Sequence, residues 1–403
     1  MVRDKDPITR VSEPVRFRPR KRSFWRVIIR MFGFIVLFGA VLVGALAWAG
    51  FTLSASGPLA AKKIVQIPKT ADRLAIATQL QQEGVISDTR LFSAAALVDE
   101  QLRHAQLKTG EYDFPANASM AVVLSMLGRG DVVKYKVTIP EGWTSLMVVN
   151  RLNEQEELDG QVSATPAEGS LLPETYIVTR GYTRDKLLAD MAAAQSKILE
   201  NVTAQIQPNS PIKTKEDVIT LASIVEKETG VAQERPEVAA VFLNRLKQHM
   251  RLQSDPTVIY GIVAGVGKLD HPITRDDLDG ETPYNTYVID GLPPGPIANP
   301  GKAAIDAVLN PANVPYLYFV ANGTGGHAFA STLEEHNANV KKWRSLNGSV
   351  DPAPSVKPAV ALPTPAPTSA PLSNTVTAPV ATPPAIPAPV ATPKKKLKKP
   401  PVP

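Results

Sequence analysis

Two glutamates, Glu226 and Glu228, flank Lys227 where an apolar run ends in the stretch LASIVEKETG, 221–230. A carboxyl group at the border of a core can be kept protonated, because a partly apolar wall raises its pKa toward neutral and suits it to general acid–base work. Val218, Leu221, Ala222, Ile224 and Val225 recur at helical spacing and make one apolar face. At 100° per residue Lys227 points to water and the two acids fall on the flanks, roughly 70–90° from the face centre. Gly230 is the expected helix stop. Periodicity does not choose between Glu226 and Glu228, and a hydrogen-bonded structural glutamate is the plainer reading of either.

Further along, MRLQSDPTVIYG at 250–261 offers Asp255 before Pro256, which fits an N-cap followed by Pro in the first turn. Gln253 has no evident structural duty and is a candidate ligand contact. The stretch TPYNTYVIDGLPPGPIANPG at 282–301 has too many Pro and Gly for regular structure. Its turns hold Tyr284, Asn285, Thr286 and Tyr287 in a rigid loop, where amide and hydroxyl donors beside aromatic rings suit a polar ring such as a sugar. Then PYLYFVANGTGGHAFASTLEEHN at 315–337 reads as a hairpin across a Gly-rich turn. His327 and His336 stand there without HExxH spacing, so no metal site is expected. GxSxG and P-loop patterns are also missing, and no cofactor is implied. With no cysteine, thiolate catalysis, disulfides and Cys-based metal sites are excluded.

The elements that must position these residues follow from the rest of the chain. Its 403 residues are 44% hydrophobic, ample for two folded domains. The formal charge of +6 sits at the ends. Residues 1–30 hold ten Lys/Arg against three acids and residues 351–403 six Lys against one Asp, so the part between is net acidic. Nucleic-acid binding through a basic face is not expected. No residue from Met31 to Ala61 is charged, and 31–53 is long enough to cross a ~30 Å hydrocarbon layer. It is longer than the ~7–15 residues of a signal-peptide apolar region, which is the rival reading. The arginines just upstream place the N-terminus, residues 1–30, in the cytoplasm and everything after the span outside it.

The expected fold class is α+β with a single N-terminal transmembrane helix. A short stem at 54–61 reaches about 27 Å at most, and 54–138 reads as stem plus a strand–helix–helix–strand unit, the order of a LysM-like glycan-binding module. Residues 139–347 make a larger mixed α/β domain: a capped helix in PEGWTSLMVVNRL, a polar insertion, a strand in LLPETYIV, then the motif-rich part. Residues 348–403, dominated by Pro, Ala, Thr and Val and ending in a lysine cluster, read as a disordered tail.

Taken together, ASIVEKET, RLQSDPTVIYG, YNTY with GLPPGPIANPG, and YLYFVANGTGGHAF resemble the YceG-like (MltG) endolytic murein transglycosylases, across roughly 62–345. The resemblance implies a membrane-anchored catalytic domain outside the cytoplasm, acting on peptidoglycan glycan strands near the inner membrane, with peptidoglycan synthases (penicillin-binding proteins) as partners. It implies that Glu228 is the catalytic acid, Glu226 a supporting residue, and Asn285 and Tyr287 cleft contacts; Gln253 joins them from its own position. A lytic transglycosylase uses one acid/base, whereas an ordinary glycosidase uses two carboxyls. A hydrolytic muramidase on the same site, or a non-catalytic peptidoglycan-binding scaffold, are the alternatives.

Overall fold

The computed structural model describes residues 22–346. Most of the basic segment expected at 1–30, and the tail expected at 348–403, lie outside the described residues.

Helix α1 (Arg22–Ser54) contains the apolar stretch. Within Trp25–Ser54 the most apolar window has a mean hydropathy of 2.5 and buries nothing against the protein. At 1.5 Å per residue the helix is long enough to cross a bilayer. The short stem after α1 is tied down: Gly57 N–H donates to the Asn117 carbonyl and Asn117 N–H to the Leu59 carbonyl. Leu59 is buried, and Leu53, in the last turn of α1, packs on the same core. A Cβ on Gly57 would lie 2.0 Å from the Ala118 carbonyl oxygen, so only glycine permits this close approach.

That first core lies under β1 (Lys63–Ile67), α2 (Arg73–Gln82), α3 (Thr89–Arg103) and β2 (Gly110–Phe114). The strands pair antiparallel, Lys63 opposite Phe114 and Ile67 opposite Gly110, giving the strand–helix–helix–strand order read from the sequence. Asp72 caps α2 and Asp88 caps α3, each accepting a backbone N–H three residues on. Helix α4 (Met120–Arg129), capped by Ser119 and ended by left-handed Gly130, closes the core against Leu80, Phe92 and Phe114.

A second core follows. Strand β3 (Tyr135–Thr138), helix α5 (Ser145–Asn153), β4 (Leu158–Asp159), β5 (Thr175–Val178), β6 (Tyr182–Thr183) and α6 (Arg184–Leu199) enclose Val137, Leu152, Leu171 and Met191. β3 pairs antiparallel with β5, and β4 parallel with β6. The Arg184 guanidinium donates to the carbonyls of Leu152, Asn153, Gln155, Leu158 and Gly160, fastening the turn after α5 to the start of α6.

The third core is helical. After α7 (Val202–Gln205), helix α8 (Lys215–Glu228) packs between α9 (Arg235–Lys247) and α12 (Lys302–Leu309). Helices α10 (Asp255–Val263) and α11 (Arg275–Asp279) flank it. The hairpin β7 (Tyr318–Ala321) and β8 (His327–Ala330) lays Phe319 and Phe329 on its edge, and α13 (Leu333–Leu346) covers the hairpin. The mixed helix and sheet content agrees with the expected class.

Candidate active site

Helix α8 starts on a capping box, Thr214 with Asp217, and buries every residue from Val218 to Val225. It therefore runs through the middle of the core, and its last turn emerges where the acids stand. Gly230 does not end it. Thr229 swings to an extended conformation (φ −136°, ψ 129°) and its hydroxyl takes the Val231 N–H, a local alternative to the next helical bond.

The two glutamates have different surroundings. Glu226 is 5% exposed in its side chain and spent on structure: Oε1 accepts from Arg235 Nη2 at 3.2 Å and Oε2 from Gly301 N–H at 3.0 Å. It thus ties α9 to the first turn of α12, consistent with a supporting role. Burial, then the nearby Glu141 charge, pushes its carboxyl above the usual range. Lys227, expected to face water, is half-buried and reaches the Gly142 carbonyl at 3.4 Å. The segment carrying Gly142 and Trp143 folds over the helix end, which a face count on one isolated helix does not include.

Among the described residues Glu228 accepts one hydrogen bond in its side chain, from Ser254 Oγ to Oε1 at 2.5 Å. Burial raises its pKa from 4.5 to about 7; the Asp255 charge raises it further, while the Ser254 bond and the Arg245 charge oppose the rise. A carboxyl with that titration holds and releases a proton near neutral pH.

Ser254 is itself fixed. It is 1% exposed, donates N–H to Thr286 Oγ1 at 2.9 Å, and gives its carbonyl to Thr257 Oγ1 at 2.5 Å. The two threonine hydroxyls meet at 2.8 Å. Arg245, 9% exposed, holds the turn before Ser254 through the Arg251 and Leu252 carbonyls at 3.1 and 3.0 Å and Gln253 Oε1 at 3.3 Å, and reaches β7 through the Leu317 carbonyl at 2.7 Å.

Asp255 corrects the cap reading. The N-cap of α10 is Ser254, which makes no side-chain cap bond. Asp255 is the first helical residue, 7% exposed, and its Oδ1 accepts from Tyr287 Oη at 2.7 Å. Burial lifts its pKa from 3.8 to about 7 against that hydrogen bond, and raises the Tyr287 phenol with help from the Asp255 charge. The sequence SDP offers two adjacent cap candidates, and local pattern does not separate them.

The remaining candidates divide. Tyr287 is half-buried and reaches the site through Asp255. Gln253 is exposed beside Ser254, in a left-handed conformation (φ 52°). Asn285, expected as a cleft contact, is fully buried. Its Nδ2 donates to the Leu278 and Gly280 carbonyls at 2.9 and 2.7 Å, and its Oδ1 takes Tyr287 N–H at 2.9 Å. With its amide occupied in this way, Asn285 shapes the loop that presents Tyr287.

Sequence reading missed Asn299 and Glu168. Fully buried, Asn299 accepts from Leu171 N–H and donates to the Trp143 carbonyl, Ser145 Oγ and Glu168 Oε1, joining the second and third cores. Glu168 also takes Ser145 N–H at 2.7 Å and Tyr260 Oη at 3.3 Å; its pKa is raised by burial. The dense Pro/Gly setting of Asn299 was the available signal. Among the described residues no group of three His, Asp or Glu is placed to hold a metal ion.

Known proteins can now be set beside this geometry. The chain is 38% identical over 181 residues to an endolytic murein transglycosylase of Bacillus subtilis, covering 45% of this chain and 49% of that protein. It is 29% identical to one from Streptococcus pneumoniae, covering 68% of this chain and 57% of the relative. The chain thus spans about half the length of the curated relatives it matches. A crystal structure of a YceG-like protein from Listeria monocytogenes aligns at 30% identity over 69% of this chain and 98% of that one, with a TM-score of 0.42. The model of the YceG-like family matches residues 65–342, most of the chain and all three cores, and the chain belongs to the YceG-like family.

Proposed function

We propose that this protein is an endolytic lytic transglycosylase of peptidoglycan, with Glu228 as its single acid/base. The observation that supports this most is the Glu228 carboxyl, whose pKa burial raises to about 7 and which, among the described residues, is hydrogen-bonded by the Ser254 hydroxyl. In the first half-reaction Glu228 donates its proton to the glycosidic oxygen between N-acetylmuramic acid and N-acetylglucosamine, and the C1–O bond breaks. In the second, the resulting carboxylate takes the proton of the muramyl 6-hydroxyl as O6 bonds to C1. Glu228 ends protonated, water is not consumed, and the product carries a 1,6-anhydro end.

The relatives named endolytic murein transglycosylase support the substrate class. The basic N-terminal flank and apolar α1 support a single pass with the N-terminus in the cytoplasm and the three cores in the periplasm. There the enzyme cuts new strands close to the membrane, beside the penicillin-binding synthases that make them. The strand–helix–helix–strand unit is then a LysM-like glycan contact.

A second reading, a hydrolytic muramidase, is favoured by one feature: Asp255 supplies another buried carboxyl close to Glu228. Digesting uncrosslinked glycan strands with the full chain in detergent and reading the ends by mass spectrometry separates the two. Internal cuts with 1,6-anhydromuramyl ends are expected. Reducing ends would replace the transglycosylase with a hydrolase, and binding without cleavage would leave a scaffold.

A further inference from the structure

Asp255 is a buried carboxyl that the mechanism above does not use. It does not cap α10, and its side chain is held by the phenol of Tyr287. Its neighbour Ser254 carries the hydroxyl that grips Glu228. The backbone between them is fixed by Thr257 and Thr286, so the two carboxyls have a set relation. Tyr287 is in turn set by the Asn285 side chain and by Arg251, whose guanidinium donates to the Tyr287 carbonyl at 2.9 Å. Such a structure around one acid does more than fill a core.

We propose that Asp255, held by Tyr287, is a positioning residue whose carboxylate governs when Glu228 holds its proton, without touching the glycan. This rests on Glu228 being the acid/base. A second negative charge close by disfavours ionised Glu228. It keeps the acid loaded for the first half-reaction, and makes the carboxylate left behind a stronger base for the 6-hydroxyl proton. The charged and titratable groups facing Glu228 are Asp255 from α10 and Arg245 from α9, with Tyr287 from the loop behind Asp255. Arg245 acts in the opposite sense to Asp255, so removing Asp255 leaves the cation unopposed. The pair titrates as a coupled unit.

The test labels the full chain in detergent with glutamate enriched in ¹³C at the side-chain carboxyl, assigning Glu228 by the signal lost in Glu228→Gln. In the wild type the Glu228 signal titrates near 7. In Asp255→Asn, which still accepts from Tyr287, it moves down by about one pH unit, and the alkaline limb of kcat/KM moves with it. Activity then falls about tenfold at pH 8 and much less at pH 5.5. Tyr287→Phe keeps both carboxyls, lets Asp255 protonate more readily, and moves Glu228 the same way by less. That makes it the second probe if Asp255→Asn folds poorly. A Glu228 titration unmoved in both variants overturns the proposal, even if activity drops, since a purely structural Asp255 would do only that. A titration that moves in a protein giving no anhydro ends would uphold the pairing and remove the transglycosylase reading instead.

Discussion

Glu226 and Glu228 lie two residues apart on one helix end, and their neighbours separate them. Glu226 is consumed by Arg235 and the Gly301 N–H, whereas Glu228 meets one serine hydroxyl. The raised pKa of Glu228 has a consequence for stability. Its folded value is about 7 against 4.5 for the free group, so between these pH values the folded state binds more protons than the unfolded one. Stability from this group is fully present below pH 4.5 and is lost as pH rises through 7. Glu228→Gln, which keeps the acceptor for Ser254, should therefore be more stable than wild type at pH 8, by about 3 kcal/mol, and nearly equal to it at pH 4. Urea titrations at the two pH values check this; equal differences at both would show that Glu228 ionises freely.

At the scale of elements, the loop at 282–301 matters as much as the helix. Asn285 satisfies the buried Leu278 carbonyl of α11, the Gly280 carbonyl after it and one N–H of that loop, and an unpaired buried group costs roughly 1–3 kcal/mol. Asn285→Ala should lower stability by about 2–4 kcal/mol and shift the thermal midpoint down accordingly. Unchanged stability with a raised KM would instead restore Asn285 as a substrate contact. The sequence made some of this legible and not the rest. Helix α8, its apolar face and the marginal position of both acids follow from residues at 3.6 spacing, which need no tertiary information. The hairpin at 315–337 is likewise a local pattern. The site of Asp255 is not local: its partner Tyr287 is 32 residues away, and no short-range rule links them. Lys227 escaped for the same reason, since the segment covering it carries Gly142, 85 residues earlier. Gly230 was read as a stop because glycine often ends helices, but here a threonine hydroxyl does the work.

For the whole molecule, continuity from the apolar helix α1 to the site is the main feature. Leu53 of α1 packs into the first core and the stem is hydrogen-bonded to Asn117. Glu111, in β2, then accepts from Arg180 at 2.9 Å and Tyr135 at 2.5 Å, fastening the first core to the second, and Asn299 fastens the second to the third. A short stem of limited reach was expected from length alone; the structure shows that stem hydrogen-bonded and packed against the first core. Gly57→Ala drives a methyl into the Ala118 carbonyl and should cost about 1–3 kcal/mol. Hydrogen exchange should then rise around 55–59 and 117–118, while exchange near Glu228 stays at its wild-type rate. No increase at 55–59 would mean the joint is not under this steric control.

Whether Glu228 carries the proton is reached directly by one comparison. Full-length wild type, Glu228→Gln and Glu226→Gln, each shown folded by circular dichroism, would be given the same uncrosslinked glycan strands and their anhydro ends counted over time. Glu228→Gln should lose at least about 10²-fold in rate, while Glu226→Gln, losing only its support of α9 and α12, keeps measurable turnover. Near-normal cutting by Glu228→Gln, with Glu226→Gln inactive, would contradict the assignment and move the acid/base to the other side of Lys227.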